Sequence, residues 1–135
     1  MDLKARKVTM FRLETEDHPG AAAAIARKLR DAHVNLIGLW GFGMNGRAGI
    51  ALVPESAEAL RRAAGIHKFD LTEGTAFLVQ GEDRVGALCE TLDAVARAGV
   101  NVHAVGAVSA GGVFGSLFWA EERDVPRVSE VLGAP

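Results

Sequence analysis

The segment Glu16-Asp17-His18-Pro19-Gly20-Ala21 returns later in the chain as Glu82-Asp83-Arg84-Val85-Gly86-Ala87. Self-similarity at a fixed period indicates a duplicated unit, and each copy of such a unit needs its neighbour to bury a continuous core. The repeat therefore predicts two modules. We place the first at residues 1–73 and the second at residues 74–135.

Other matches fall at the same offset, since Val34-Asn35 returns as Val100-Asn101 and Gly46 returns as Gly112. These positions lie in predicted turns and at the starts of strands, where function often resides. The repeat therefore indicates both the architecture and the position of a possible site.

The composition is that of an ordinary globular protein, with 49% apolar and 24% charged residues among 135. Disordered and fibrous classes are excluded on this basis. The formal net charge of −2 gives no excess of Lys and Arg of the kind that nucleic-acid-binding domains carry. We therefore expect no nucleic acid among the partners.

The single cysteine, Cys89, allows no internal disulfide and favours a reducing compartment. Its apolar helical neighbours predict that the thiol is buried. No apolar run reaches the length of a signal peptide core or a membrane span. The sequence therefore predicts a cytoplasmic protein with no membrane partner.

The first copy has the periodicities of a strand, a helix, a hairpin, a second helix and a last strand. The predicted elements are, in this order, Val8–Leu13, Ala21–His33, Asn35–Phe42, Arg47–Val53, Ala57–Ala64 and Ile66–Leu71. Asn45-Gly46 is the predicted hairpin turn, Ser56 is the predicted cap of the second helix, and Gly65 is its predicted end.

The second copy follows the same order. Its predicted elements begin with Thr75–Gln80, Gly86–Ala98, Val100–Ser109 and Val113–Ala120, and Gly111-Gly112 is the predicted hairpin turn. A last helix follows, which Asp124 caps, with Pro126 in its first turn and Gly133 at its end. This order is that of the ferredoxin-like βαββαβ unit. The predicted fold is therefore α+β, with two such modules in tandem and helices on one face of antiparallel sheets.

The second module lacks its last strand, because only Ala134 and Pro135 follow its last helix. A sheet edge is then left open, and open edges must be covered. Two arrangements would cover it. The strand Ile66–Leu71 could pair with Thr75–Gln80 as a hairpin, or a partner chain could supply a strand. Either arrangement favours an intimate assembly, and we expect a homodimer.

Catalytic machinery is not visible in the sequence. Gly41 to Gly46 fit the spacing G-x-G-x-x-G, but a strand follows them where a dinucleotide site needs a helix. The four histidines have no metal-binding spacing, and no Ser or Cys lies in a nucleophile motif. We predict a protein that is not an enzyme and has no cofactor, metal or catalytic residue.

The repeated loop is the remaining candidate site. Asp17 and Asp83 precede predicted helices, so they could simply cap them while Gly20 and Gly86 permit the turn. Alternatively, these glycines let a small ligand reach free backbone N–H groups, with the nearby Asp offered to an ammonium group. A matched asparagine opens the second strand of each copy and could contribute an amide to the same ligand.

The pattern of a strand, Asp-x-x-Gly-Ala, an amphipathic helix and then Val-Asn resembles the ACT domain, in two tandem copies over nearly the whole chain. The resemblance implies amino-acid or other small-effector binding where the loop after the first strand meets the second strand of a neighbouring module. The implied ligand-binding residues are Asp17, His18, Pro19, Gly20 and Asn35 in the first copy, and Asp83, Arg84, Val85, Gly86 and Asn101 in the second.

The resemblance thus implies a non-catalytic regulatory protein with sites between modules. Because no catalytic domain is attached, such a protein would regulate a metabolic enzyme in trans or act as a free-standing sensor. The first copy keeps Pro19 where the second has Val85, so its site is closer to the family pattern. The alternative is a structural or protein-interaction module with no small-molecule ligand.

Overall fold

A computed structural model describes residues 3–135, apart from the side chain of Met44. Its strands are β1 (Lys4–Glu16), β2 (Leu36–Met44), β3 (Arg47–Pro54), β4 (Thr72–Glu82), β5 (Ala104–Ala110) and β6 (Val113–Trp119). Its helices are α1 (Ala21–Asp31), α2 (Ala57–His67), α3 (Ala87–Arg97) and α4 (Val125–Leu132), with a 3-10 turn at Glu122–Asp124. The predicted α+β class is confirmed, with βαββαβ-like modules and antiparallel strands.

The chain packs as two compact units. The first unit is Thr9–Gly74, and the second unit joins the N-terminal residues up to Val8 to Thr75–Pro135. Repeat and packing therefore group the N-terminal residues differently, because the repeat counts them with the first copy. The long strand β1 contributes its beginning to the second unit and the rest to the first.

In the first unit the strand order is β2-β3-β1, and both pairings are antiparallel. Alternate residues of β1 and β3 face the helices, as in the pairs Phe11 with Leu52 and Leu13 with Ile50. Helices α1 and α2 cover this face, with Leu29 and Leu60 at 1% and 0% exposure. This period-2 alternation against amphipathic helices is what fixes the register of the sheet.

Two local predictions in the first unit are confirmed. Asn45 and Gly46 have φ of 54° and 78°, which is the positive-φ pair that a tight hairpin turn between right-twisted strands requires. The Ser56 hydroxyl accepts a hydrogen bond from the Ala59 backbone N–H at 3.2 Å, so Ser56 caps α2 as predicted.

The predicted end of α2 at Gly65 and the predicted strand Ile66–Leu71 are wrong. Helix α2 continues through His67, and Lys68 ends it in the left-handed conformation at φ 57°. The Phe69 N–H then donates to the Ala64 carbonyl at 3.0 Å, which closes the helix terminus. Phe69 and Leu71 are apolar because they pack against the helix-covered core, and they do so without forming a strand.

Replacing Lys68 with glycine is expected to raise the free energy of unfolding by about 1 kcal/mol, because a side chain in the left-handed region is strained and glycine is the preferred residue at this position. Gly133, which ends α4 at φ 65°, provides the matched control. Gly133→Ala should lower stability by a similar amount. Urea unfolding measures both changes, and a destabilising Lys68→Gly variant would contradict the assignment.

In the second unit the strand order is β1-β4-β6-β5. Its core contains Phe77 stacked on Phe118, with ring centroids 5.5 Å apart, together with Val95 and Val128 at 0% exposure. Pro126 lies in the first turn of α4 and Gly133 ends the helix, as predicted, but the Asp124 side chain makes no capping hydrogen bond. The predicted capping role of Asp124 is therefore wrong.

The beginning of β1 takes the place of the second module's missing strand. Within residues 3–135 no strand follows α4, and β1 occupies the position beside β4. Leu3 and Ala5 pack against the core of this unit. Neither arrangement predicted for this edge is found, since residues 66–71 form no strand and the chain itself covers the edge.

Candidate functional site

The repeated loops have the same backbone geometry. Gly20 and Gly86 are the residues before α1 and α3, with φ of 88° and 90°. No atom lies within 4 Å of a Cβ added at either position. Glycine is therefore required by the backbone conformation and not by crowding.

Of the two interpretations of Asp17 and Asp83, capping is not observed, because Gly20 and Gly86 are the N-cap residues and no side-chain hydrogen bond caps α1 or α3. The backbones of the two aspartates instead attach each loop to the neighbouring hairpin turn. The Asp17 N–H donates to the Gly46 carbonyl at 3.1 Å, and the Asp83 N–H donates to the Gly112 carbonyl at 2.9 Å. The repeated glycines at the two hairpin turns therefore accept equivalent hydrogen bonds.

The Asp17 carboxylate lies against the backbone of β2 at Gly43. A side chain at Gly43 would collide with Asp17 Oδ2, so glycine is what permits this approach. The matched position in the second copy is Ser109. The second copy therefore lacks the glycine that lets Asp17 approach the strand, because Ser109 carries a side chain there. The Gly43/Ser109 mismatch is the signal in the sequence that could have shown this difference.

The N-terminus of α1 is open to solvent. The Ala21 N–H bonds the His18 carbonyl at 3.2 Å and the Ala24 N–H bonds the Gly20 carbonyl at 2.9 Å. Between them, the N–H groups of Ala22 and Ala23 have no partner within the helix. The first turn contains no acidic residue, so this positive end of the helix dipole has no carboxylate of its own.

The second loop differs at the same place. Arg84 forms an ion pair with Glu90, which lies in the first turn of α3. Position 90 is matched by Ala24 in the first copy, and Arg84 is matched by His18, whose Nδ1 lies 3.0 Å from the Pro19 carbonyl oxygen. The first turn of α3 thus contains a carboxylate of its own, that of Glu90, whereas the first turn of α1 contains none.

The matched asparagines lie away from these loops within each unit. Asn35 comes before β2, whereas Asp17 bonds a turn beyond the end of β2. At about 3.3 Å per residue, nine residues of strand separate the two by roughly 30 Å. The Asn35 amide donates to Glu55 Oε2 at 2.9 Å. One unit therefore does not bring Asn35 to the first loop.

Asn101 has the same relation to the second loop. It precedes β5, while Asp83 bonds Gly112 beyond the far end of that strand. Asn101 lines a polar cavity with residues that sequence reasoning did not select, chiefly Arg127, Asp124 and His103. Only His103 departs in chemistry from the first copy, which has Ile37 at that position, whereas Arg127 and Asp124 match Arg61 and Glu58.

The predicted burial of Cys89 is wrong, because the thiol is exposed. Its Sγ lies 3.5 Å from Asp93 Oδ2, and this hydrogen bond, with the carboxylate charge, raises the pKa of the Cys89 thiol. A raised pKa lowers the fraction of reactive thiolate. Among residues 3–135, no three His, Cys, Asp or Glu side chains are grouped so as to hold a metal.

No helix in the described part of the chain is long and apolar enough to cross a membrane. No protein-family model and no curated protein matches the sequence.

Solved structures do match the fold. Protein BT0572 from Bacteroides thetaiotaomicron superposes with a TM-score of 0.82 over 96% of this chain and 88% of that one, at 16% identity. The regulatory subunit of aspartate kinase from Thermus thermophilus gives 0.66 over 98% and 95%, at 13% identity. A putative C-terminal regulatory domain of aspartate kinase from Porphyromonas gingivalis gives 0.59 over 97% and 93%, at 13% identity.

These similarities extend over almost the whole of each chain, so they cover both units and not one alone. At such identities they establish the fold alone. The chain has the tandem ACT-type fold that the repeated motif implied.

Proposed function

We propose that this protein is a non-catalytic regulatory protein that binds a small effector, an amino acid, at the loop Asp17-His18-Pro19-Gly20. The observation that carries the proposal is the open N-terminus of α1, which follows Asp17 by four residues in the chain, with the Asp17 carboxylate lying against β2 at Gly43. The N–H groups of Ala22 and Ala23 suit a carboxylate. The carboxylate of Asp17 suits the ammonium group of the same ligand.

The second loop is the weaker site in this proposal. Glu90 lies in the first turn of α3 and is paired with Arg84. A ligand carboxylate at that helix N-terminus would have to compete with Glu90 for Arg84, which opposes binding, whereas the first turn of α1 contains no such carboxylate. We therefore assign effector binding to the first loop, and the second loop has a structural role.

The edge strands support assembly of two copies. Strand β2 contains no charged residue, and Ile37, Leu39 and Phe42 are 39%, 41% and 55% exposed. Strand β5 is also uncharged and exposes Val105 and Val108. Because edge strands are normally protected by charges or proline, such edges favour pairing. In a homodimer, β2 and Asn35 of a second copy would complete the first loop's site.

Effector binding would regulate by favouring one arrangement of the assembled copies over another, in proportion to its differential affinity. The target would be a metabolic enzyme acted on in trans. The similarity to regulatory subunits and domains of aspartate kinase supports this class of role.

A thermal-shift screen of the twenty amino acids tests the proposal, because a ligand that binds only the folded state raises the melting temperature. At least one amino acid at millimolar concentration should do so. Asp17→Ala should abolish the shift, and the matched control Asp83→Ala should retain it. Gly20 and Gly86 are unsuitable positions for this test, since any side chain there is strained.

The proposal would be contradicted if no amino acid raised the melting temperature, or if Asp83→Ala abolished the shift as fully as Asp17→Ala. A result with no shift favours the second candidate function, a protein-interaction module. The uncharged exposed strand β5 is the observation that supports that alternative, because it offers a partner chain an edge to pair with.

A further inference from the structure

The second unit contains a polar cavity of about 330 Å³, a volume in the range of small-ligand sites. It lies where α3 ends, β5 begins, β6 ends and α4 begins. Its polar lining consists of Asn101, His103, Glu121, Arg123, Asp124 and Arg127. The loop Asp83–Gly86 lies beyond the other end of β5, so this cavity is separate from the repeated loop.

One carboxylate of the cavity is already neutralised. Glu121 Oε2 is 2.7 Å from Arg123 Nε, and Glu121 Oε1 is 3.8 Å from His103 Nε2. Glu121 and Arg123 therefore satisfy each other, and His103 lies beside the pair. These groups form one wall of the cavity without leaving a net charge.

Two opposite charges in the cavity are not used in this way. Among the described residues, Arg127 makes one hydrogen bond, from Nη1 to the Ala98 carbonyl oxygen at 3.3 Å, and its other N–H groups are unpaired. Asp124, which precedes α4, makes no capping bond and has no ion-pair partner within residues 3–135. The Asn101 amide is likewise without a partner in that part of the chain.

In the first copy, the residues at the matching positions have bonding partners within their own unit. There the Asn35 amide donates to Glu55, and Arg61 pairs with Glu73. Asn101, Glu121 and Arg127 are the matched residues of the second copy. In the second copy Arg123, at the position of Ala57, engages Glu121, and within residues 3–135 the Asn101 amide makes no bond of the kind that Asn35 makes to Glu55.

We propose that this cavity binds a small zwitterion, with the ligand's anionic group on Arg127 and Asn101 and its ammonium group on Asp124. The two arginines and the two carboxylates of the cavity balance one another in formal charge. A phosphate or other simple anion would therefore find no net positive potential there. A molecule carrying both charges matches the unpaired cation and anion. The site is independent of the one proposed at the first loop.

Nuclear magnetic resonance of the full-length protein tests this inference through the Asn101 side-chain amide signal. The probes are the amino acids, with acetate, methylammonium and inorganic phosphate as single-charge comparisons. At least one zwitterion should move the signal saturably. Arg127→Gln should weaken that binding roughly tenfold or more, the effect of losing one charge-assisted hydrogen bond. The matched variant Arg61→Gln should leave it unchanged.

The inference is overturned if no zwitterion moves the Asn101 signal, if acetate or phosphate moves it as strongly as any zwitterion, or if Arg127→Gln and Arg61→Gln behave alike. The backbone amide of Gly20 reports the first loop in the same spectra. A shift at Gly20 alone rejects the cavity and leaves the proposed function standing. A shift at Asn101 alone supports the cavity and counts against the first loop.

Discussion

Deletion of residues 1–7 is expected to destabilise the second unit by about 2 kcal/mol or more, while changing the first unit much less. Residues 4–8 of β1 lie beside β4, and Leu3 and Ala5 cover the core that contains Phe77 and Phe118. Their removal exposes apolar core surface and leaves β4 without its neighbour.

Each unit carries one tryptophan, which allows the two to be followed separately. Trp119 lies in the second unit and Trp40 in the first. Urea unfolding of the Trp40→Phe protein, with and without the deletion, reports the second unit through Trp119 fluorescence. The Trp119→Phe pair reports the first unit through Trp40.

A matched pair of substitutions tests the packing of this segment against the second unit's core without shortening the chain. Ala5→Glu places a charge against the core and should lower the Trp119 transition, because burial of an unpaired charge is costly. Arg6→Glu, at an exposed neighbouring position, should have little effect. The assignment of residues 4–8 to the second unit is wrong if the deletion lowers both transitions equally or lowers neither.

Phe118→Ala is expected to cost about 3–5 kcal/mol, the range for truncating a buried aromatic side chain. Phe118 is 0% exposed and stacks on Phe77, so the substitution leaves a cavity in the core of the second unit. Urea unfolding followed by Trp119 fluorescence measures the loss.

Val105 is the control for this substitution, because it faces Phe118 across the β5–β6 pairing yet is 44% exposed. Val105→Ala should change stability far less than Phe118→Ala. If the two substitutions cost the same, Phe118 is not the centre of this core.

Features with local signals could be predicted from the sequence. The hairpin turns at Asn45-Gly46 and Gly111-Gly112, the Ser56 cap and the helix end at Gly133 depend on residue types that favour one backbone conformation at one position. The repeat then supplied the module order, because two copies of one pattern must form two similar units.

Features that depend on distant segments could not be predicted. Residues 4–7 carry three basic side chains around Ala5, and nothing in such a pattern indicates a strand shared with the second unit. At residues 66–71 the apolar pattern predicts a strand, but the side chains of Phe69 and Leu71 cover a core without forming one. In both cases tertiary packing decided the outcome, and a local pattern does not report it.

The candidate site was predictable to a similar extent. The glycine-dependent loops followed from the repeat, but the approach of Asp17 to Gly43 and the Arg84–Glu90 pair depend on which side chains meet in space. The sequence predicts matched roles for the two asparagines, but Asn35 is bonded to Glu55 while Asn101 lines the polar cavity, and a match in sequence does not place Asn35 near Asp17. Only the direction of β2 shows that the two lie at opposite ends of a strand.

The proposed effector site is tested most directly by following the backbone amide signals of Gly20 and Gly86 during titration with the amino acid that raises the melting temperature most. Effector binding at the first loop predicts a saturable shift of the Gly20 signal, with those of Ala22 and Ala23, while Gly86 stays in place. Absence of a shift of the Gly20 signal with every amino acid, or an equal shift of the Gly86 signal, would contradict effector binding at the first loop.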